Sequence, residues 1–505
     1  MFLRIFHPSA AIHDVATDVP WDASRLRVEI QKRVRLLADL GFGDGDRAVI
    51  AHGNSAWFFA DLLAVWTRGG AAIPLDSKVG ELELANIVSQ SGARAVIYQG
   101  RPGKGVAADF SAQGLATYDT LETDALLPED LGPDWKDPRP DDLALILYTS
   151  GTTEEPKGVA HTFRTLSARL RSLEPYIDGR LLKRTACLLP TNFGHGLICN
   201  CLYPLYSGAT LYIFPSHDLR ILAGLGSAID QHGITFLSSV PAMWKILGRG
   251  AEPPRKGSLK LIHCGSAPLG AALWEGIREW SGIQSVRNLY GITEVGSWTA
   301  GSPDPAVPAA DGFIGPGWGA EIAVLPEEAR DSGTNGSRRV RPGEVGEVWV
   351  RTPALMQGYY NRPDLYAAVV KDGWFRTGDL GFLDERTCLT LVGRTSHAIN
   401  LAGMKVYPED VDILLERHPE VSQACTFAAD DPVAGQAVAA AISPATPGAA
   451  IDLSRLSDWC RKRVSDYKVP TRWFVLDAIP TNERGKLHRD SVKEACLKGQ
   501  SGFPI

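Results

Sequence analysis

Tyr148-Thr149-Ser150-Gly151-Thr152-Thr153-Glu154-Glu155-Pro156-Lys157-Gly158 decides how this chain is read. An apolar run, Leu143–Tyr148, precedes it and reads as a buried strand. Hydroxyls, glycines and a lysine then follow. A loop of that composition offers backbone N–H groups, hydroxyl donors and a cation, all of which suit phosphate. The Gly-x4-Gly-Lys-Ser/Thr spacing of a Walker A loop is absent, so the segment is a different kind of phosphate loop.

Upstream of this loop, strand-like and helix-like segments alternate. Arg47–Ala51 is a short apolar run. Ser55 is placed to cap the next helix, which carries Phe58, Leu62, Leu63 and Trp66 on one face. Gly69-Gly70 ends that helix, Ala71–Leu75 reads as a strand, Glu81–Gln90 as a helix and Ala93–Tyr98 as a strand. Residues 100–140 are poorer in pattern and read as a surface excursion. Downstream, Ala209–Phe214, Thr235–Ser239 and Leu261–Cys264 continue the rhythm. The alternation predicts α/β architecture with a largely parallel sheet and helices on both faces. From about residue 320 the pattern changes to short strands, Glu321–Leu325, Gly346–Val350 and Leu389–Val392, with Glu328–Arg341 as an exposed loop. Beyond Gly393-Arg394, helices (Pro408–His418, Leu453–Val464) and strands (Gln423–Ala428, Ala437–Ile442) predict a separate small α+β domain. The expected division is 1–393 and 394–505.

The chain has 505 residues, of which 44% are hydrophobic and 22% charged, with a net charge of −6. It can bury a large core, and it lacks the basic footprint of a nucleic-acid binder. No apolar run approaches the roughly 20 residues of a membrane helix. The start, MFLRIFHPSAA, does not read as a secretory signal. Eight cysteines are scattered without a CxxC or Cys/His cluster. They read as reduced thiols of a cytoplasmic protein, without structural zinc.

Further motifs follow the loop in order: Tyr290-Gly291-Ile292-Thr293-Glu294, Gly346-Glu347, Phe375-Arg376-Thr377-Gly378-Asp379, Gly393-Arg394 and Pro480-x4-Gly485-Lys486-x2-Arg489. Together they resemble the adenylate-forming superfamily of acyl-CoA synthetases, luciferases and peptide-synthetase adenylation domains. The resemblance covers nearly the whole chain. It implies two α/β subdomains and a distorted β-barrel, followed by a small mobile domain. It also implies ATP, Mg2+ and coenzyme A. A carboxylate is first joined to AMP with loss of pyrophosphate; the small domain then rotates, and a thiol takes the acyl group from acyl-AMP.

By this resemblance Thr149, Ser150, Thr152, Thr153 and Lys157 cradle the β- and γ-phosphates. Tyr290 lies against the adenine. Thr293 touches the α-phosphate and Glu294 holds Mg2+, a hard cation that prefers oxygen. Asp379 accepts bonds from the ribose hydroxyls, supported by Arg394. Gly265, Ser266 and Ala267 line adenine and substrate together. Lys486 bridges carboxylate and α-phosphate. His195, in Thr191-Asn192-Phe193-Gly194-His195-Gly196, is expected to gate the passage between carboxylate and thiol tunnel. Amino-acid-activating members carry Asp where this chain has Gly194, and no other carboxylate is in place to neutralise an ammonium. Ile292, Val295, Gly296 and Trp298 then form an apolar pocket, which suits a bulky, largely apolar acid.

Three positions depart from the family pattern. Glu154 replaces a glycine in the phosphate loop. A carboxylate about 5 Å from a phosphate charge costs roughly 3 kcal/mol at an effective dielectric near 20. Ser396 stands at the hinge, where Asp or Lys is usual. Ala402-Gly403 replaces a Lys-Gly pair at the coenzyme A tunnel, and Gly403 keeps room for a pantetheine arm. The leading reading is an AMP-forming acyl-CoA synthetase. The alternatives are an enzyme confined mainly to thioester formation from acyl-AMP, and a stand-alone adenylation enzyme that loads a carrier protein.

Overall fold

In a computed structural model the described residues are 9–100, 115–121, 137–149, 157–215, 219–248, 250–303, 307–326, 339–401, 404–431, 435–481, 487–498 and 503–504. Two twisted sheets form the larger part. One has seven strands in the order Gly358–Tyr359, Lys157–Thr162, Leu143–Thr149, Ala71–Leu75, Arg47–Ala51, Ala95–Tyr98 and Ala116–Asp119. From Leu143–Thr149 onward its strands run parallel. The other has eight strands and is antiparallel only at its two outermost pairs. Its centre is Val286–Ile292, Leu261–Gly265, Phe236–Ser239 and Arg184–Cys187.

Helix Ala56–Thr67 shows how sequence becomes packing. The Ser55 hydroxyl accepts from Phe58 N and caps it as expected. The expected single apolar face is in fact burial on nearly every side. The helix packs against strands of both sheets, so it has no solvent face to keep polar. One continuous apolar core, from Ile50 and Leu145 to Leu211 and Leu261, joins the sheets around it.

A third, antiparallel sheet runs Phe313–Gly315, Leu389–Arg394, Trp374–Leu383, Gly346–Arg351 and Glu321–Leu325, with Val370–Lys371 paired to Trp374–Leu383. Its end strands do not pair with each other among the described residues, so the expected barrel closure is not seen among them. Beyond it, strands Val421–Asp431, Gly435–Pro444, Arg472–Val475 and Phe503–Pro504 form a four-stranded sheet. The two apolar cores there draw only on residues from Ile399 onward. Helix Pro408–Glu416 and the residue after it reach back to the larger part through Glu416 with Lys245, at 2.7 Å, and Arg417 with Asp311.

One local expectation changes, and another lies largely outside the described residues. The excursion at 100–140 contains the edge strand Ala116–Asp119; residues 101–114 and 122–136 lie outside the described set. Most of the expected loop Glu328–Arg341 also lies outside it. All eight cysteines are free thiols. No helix among the described residues is long and apolar enough to cross a membrane.

Candidate active site

The phosphate-loop residues at the described edges are cross-strand partners. Thr149 ends one strand, Lys157 begins its antiparallel neighbour, and Thr149 Oγ1 donates to the Lys157 carbonyl at 3.5 Å. Ser150, Thr152, Thr153 and Glu154 lie outside the described residues, as do Gly403 and Lys486.

Tyr290, Asp379 and Arg394 come together. The Tyr290 hydroxyl donates to Asp379 Oδ2 at 2.6 Å, and Arg394 Nε donates to Oδ1 at 2.7 Å. Asp379 and Arg394 face each other across one strand pair, so register alone sets their approach. Thr377 fixes the other side, accepting from Asp379 N at 3.0 Å and donating to Val348 O at 2.8 Å. The Asp379 charge pushes the Arg394 guanidinium above its ordinary pKa. Burial first, then Asp379, holds the Tyr290 phenol well above its own, so it stays a donor.

The next residues of the same chain segment form a tight turn, Thr293–Val295. His161 lies 2.8 Å from the Thr293 carbonyl, and since a carbonyl only accepts, Nε2 carries the proton. Its Nδ1 lies 3.1 Å from Thr165 Oγ1, and burial lowers its pKa to about 4, so the ring is neutral. Glu294 Oε1 accepts from the Tyr359 hydroxyl at 2.9 Å, while its carbonyl accepts from Met356 N at 2.7 Å. Gly291 permits this turn: a Cβ there would meet Ser297 O at 2.0 Å. Gly194 borders it as well, since a Cβ there would stand 3.6 Å from Thr293 Oγ1.

His195 opens a π-helix, His195–Leu202. Its ring is 4% exposed and held on both sides, with Nδ1 2.7 Å from Ser266 Oγ and Nε2 2.7 Å from Ser238 Oγ. Burial lowers its pKa to about 3. It meets Phe193 and Trp298 edge-on at 5.8 and 5.4 Å. In this arrangement the His195 ring is neutral and held in place by the two serines. Ser266 is exposed and adopts φ +67°, an uncommon backbone state for a residue with a Cβ. Gly265 before it is buried against the Leu289 carbonyl, and Ala267 after it is half-buried. Trp298 is 2% exposed and belongs to the core between the sheets.

Near the hinge, His397 Nδ1 lies 2.9 Å from Glu409 Oε1, which Arg489 also contacts at 3.2 Å. Sequence reasoning misses Tyr359, Ser238 and His161. Each comes from a strand or its immediate neighbour far along the chain, and none sits at a telling spacing. Thr377 stands inside a quoted motif, two residues before Asp379, and that position is the signal that could have found it.

No group of three or more His, Cys, Asp or Glu gathers into a metal cage among the described residues. Glu294 is nevertheless a suitable single oxygen ligand: Tyr359 holds its Oε1, and a hard cation could share it with phosphate oxygens.

Comparison with known proteins identifies the family. The AMP-binding enzyme family matches residues 24–360, and the AMP-binding enzyme C-terminal domain matches 410–486. The chain therefore belongs to the AMP-binding enzymes, an adenylate-forming family. Among its relatives it stands with acid–CoA ligases. It is 29% identical over 478 residues to an oxalate–CoA ligase of Arabidopsis thaliana, covering 92% of this chain and 91% of that one. It is 30% identical over 474 residues to a feruloyl-CoA synthase of Amycolatopsis sp, covering 92% of each. The solved o-succinylbenzoate CoA synthetase of Bacillus subtilis, in complex with its acyl-adenylate, superposes with a TM-score of 0.79 at 26% identity, over 96% of this chain and 95% of that one.

Proposed function

We propose that this protein is an AMP-forming acyl-CoA synthetase acting on a bulky, largely apolar carboxylic acid. The observation that carries the reading is the Asp379 carboxylate, held between Tyr290 and Arg394 and set beside the Thr293-Glu294 turn. A ribose-binding carboxylate, an aromatic face for adenine and a phosphate-facing hydroxyl would then share one site.

In the first step the acid's carboxylate attacks the α-phosphorus of ATP and pyrophosphate leaves. The demand is for charge neutralisation and alignment. Lys157 and the hydroxyls of Thr149, Ser150, Thr152 and Thr153 hold the β- and γ-phosphates. Thr293 orients the α-phosphate, its backbone fixed by His161. Glu294 would hold Mg2+ together with the phosphates, and Mg2+ would offset their charge. Lys486 bridges the carboxylate and α-phosphate. Gly265, Ser266 and Ala267 border the adenine and the acyl group, and His195 forms a neutral wall beside them. In the second step the thiol of coenzyme A displaces AMP, entering past Gly403.

The division of labour suits two domains, 1–393 and 394–505, with the small one reorienting between steps about the residues after Arg394. Two features support a cytoplasmic setting: eight free thiols and consumption of ATP and coenzyme A. A second reading rests on Glu154. Its carboxylate in the phosphate loop would slow adenylation and leave thioester formation from a supplied acyl-AMP as the main activity. A screen of carboxylic acids with ATP and coenzyme A, read by mass for acyl-CoA and AMP, tests the first reading. Running it in parallel with supplied acyl-AMP separates the two.

A further inference from the structure

The Thr293–Val295 turn is tied into the core through its backbone. Thr293 and Glu294 are half-buried, and all three carbonyls of the turn are taken by donors from elsewhere. Thr293 O accepts from His161 Nε2 at 2.8 Å, Glu294 O from Met356 N at 2.7 Å and Val295 O from Arg169 Nη2 at 2.7 Å. His161 and Arg169 belong to one strand–helix unit, Lys157–Thr162 and Phe163–Leu173. That unit begins at the lysine proposed for the β- and γ-phosphates.

Arg169 is the costly member. It lies with Leu166, Leu170 and Leu173 on the apolar face of its helix and is fully buried. No carboxylate among the described residues pairs with it. Besides Val295 O, its guanidinium donates to the Trp318 carbonyl at 3.0 Å, Ser172 Oγ at 3.1 Å and Thr352 Oγ1 at 3.4 Å. Burial lowers its pKa to about 10, so the charge persists at neutral pH. The chain after the turn passes close to it: Gly296 has φ +76°, and a Cβ there would stand 3.2 Å from Arg169 Nε.

An apolar side chain would fill this helix face without the cost of burying a charge. What the planar fork adds is simultaneous donation to several fixed acceptors. Those acceptors come from the turn that follows strand Val286–Ile292 of the eight-stranded sheet, and from residues flanking Glu321–Leu325 and Gly346–Arg351 of the antiparallel sheet. One side chain therefore sets the turn against both sheets.

We infer that Arg169 is a positioning residue for the adenylation step: through the Val295 and Trp318 carbonyls it holds the turn that presents Thr293 to the α-phosphate and Glu294 to Mg2+. This rests on the ligase reading above and names what aligns its nucleotide site.

The test is calorimetric binding of α,β-methylene-ATP to the full-length protein, with Mg2+ and again in EDTA, for wild type, Arg169→Lys and Arg169→Gln. Lysine keeps the charge and loses the fork; glutamine loses both the charge and reach. With Mg2+, Arg169→Gln should raise Kd about ten-fold or more, and Arg169→Lys by less. The gap to wild type should narrow in EDTA, because Glu294 then has no cation to hold. A merely structural defect lowers the binding-competent fraction, read as stoichiometry, and leaves Kd alone. Lowered stoichiometry at unchanged Kd, or a gap as wide in EDTA as in Mg2+, overturns the inference and leaves the ligase reading intact. Where Arg169→Gln does not fold, Arg169→Lys decides by the same criteria. A wild-type protein that does not bind the analogue overturns both.

Discussion

The Tyr290 hydroxyl lies 2.6 Å from Asp379 Oδ2, though the two residues stand 89 positions apart. One comes from the eight-stranded sheet and the other from the antiparallel sheet. Their contact joins the two sheets at the site proposed for the nucleotide. Asp379→Asn keeps the shape and removes the charge that Arg394 pairs with. It should raise the KM for ATP by at least about ten-fold, with a smaller change in turnover from supplied acyl-AMP. Initial rates against ATP concentration decide this; an unchanged KM would remove Asp379 from the nucleotide site.

Tyr359 is expected to act through Glu294, whose Oε1 it holds. Tyr359→Phe leaves the ring and deletes the donor. The Mg2+ concentration for half-maximal ATP-dependent activity should rise by about ten-fold or more, about what one hydrogen bond to a charged group supplies. Mg2+ titrations of wild type and variant read it, and coincident curves would count against the pairing.

Two buried neutral histidines make stability depend on pH. In the folded state burial lowers His195 to about 3 and His161 to about 4, from an ordinary 6.5. The unfolded chain therefore binds more protons below pH 6.5, so stability falls as pH drops from there toward 4. Each should cost about 2 kcal/mol between pH 7.5 and 5. Urea melts at both values check this, and His195→Gln should flatten the dependence. A pH-independent midpoint would contradict it.

The half-reactions should separate by mutation. Lys486→Ala should abolish acyl-AMP formation and spare thioester formation from supplied acyl-AMP. Gly403→Leu should do the reverse, by blocking the pantetheine path. Equal losses in both half-reactions would overturn these assignments.

The α/β rhythm was legible because its strands are buried runs ended by glycine or a cap, as at Ala71–Leu75 and Ser55. The π-helix at His195–Leu202 was not, because Gly194 and Gly196 flank a histidine and imitate a loop. Its burial is tertiary: it sits between sheets, and local propensity says nothing of that. Strand Lys157–Thr162 escaped for a related reason, since His161 and Thr162 look polar until their buried partners are seen. In the site, the pairing of Asp379 with Arg394 follows from neighbouring motifs on one hairpin. The links from Ser238 to His195 and from Tyr359 to Glu294 depend on packing between distant strands, which no spacing encodes.

The most direct test measures ATP–pyrophosphate exchange across a panel of carboxylic acids, beside coenzyme A turnover of supplied acyl-AMP, on wild type, Glu154→Gly and Glu155→Gly. Wild type should support exchange with some acid and should form acyl-CoA. If the Glu154 carboxylate faces the β- and γ-phosphates, Glu154→Gly should raise the ATP-dependent rate by roughly one to two decades, and Glu155→Gly by much less. Absence of both exchange and thioester formation, in wild type and in Glu154→Gly alike, would contradict the assignment of this protein as an acyl-CoA synthetase.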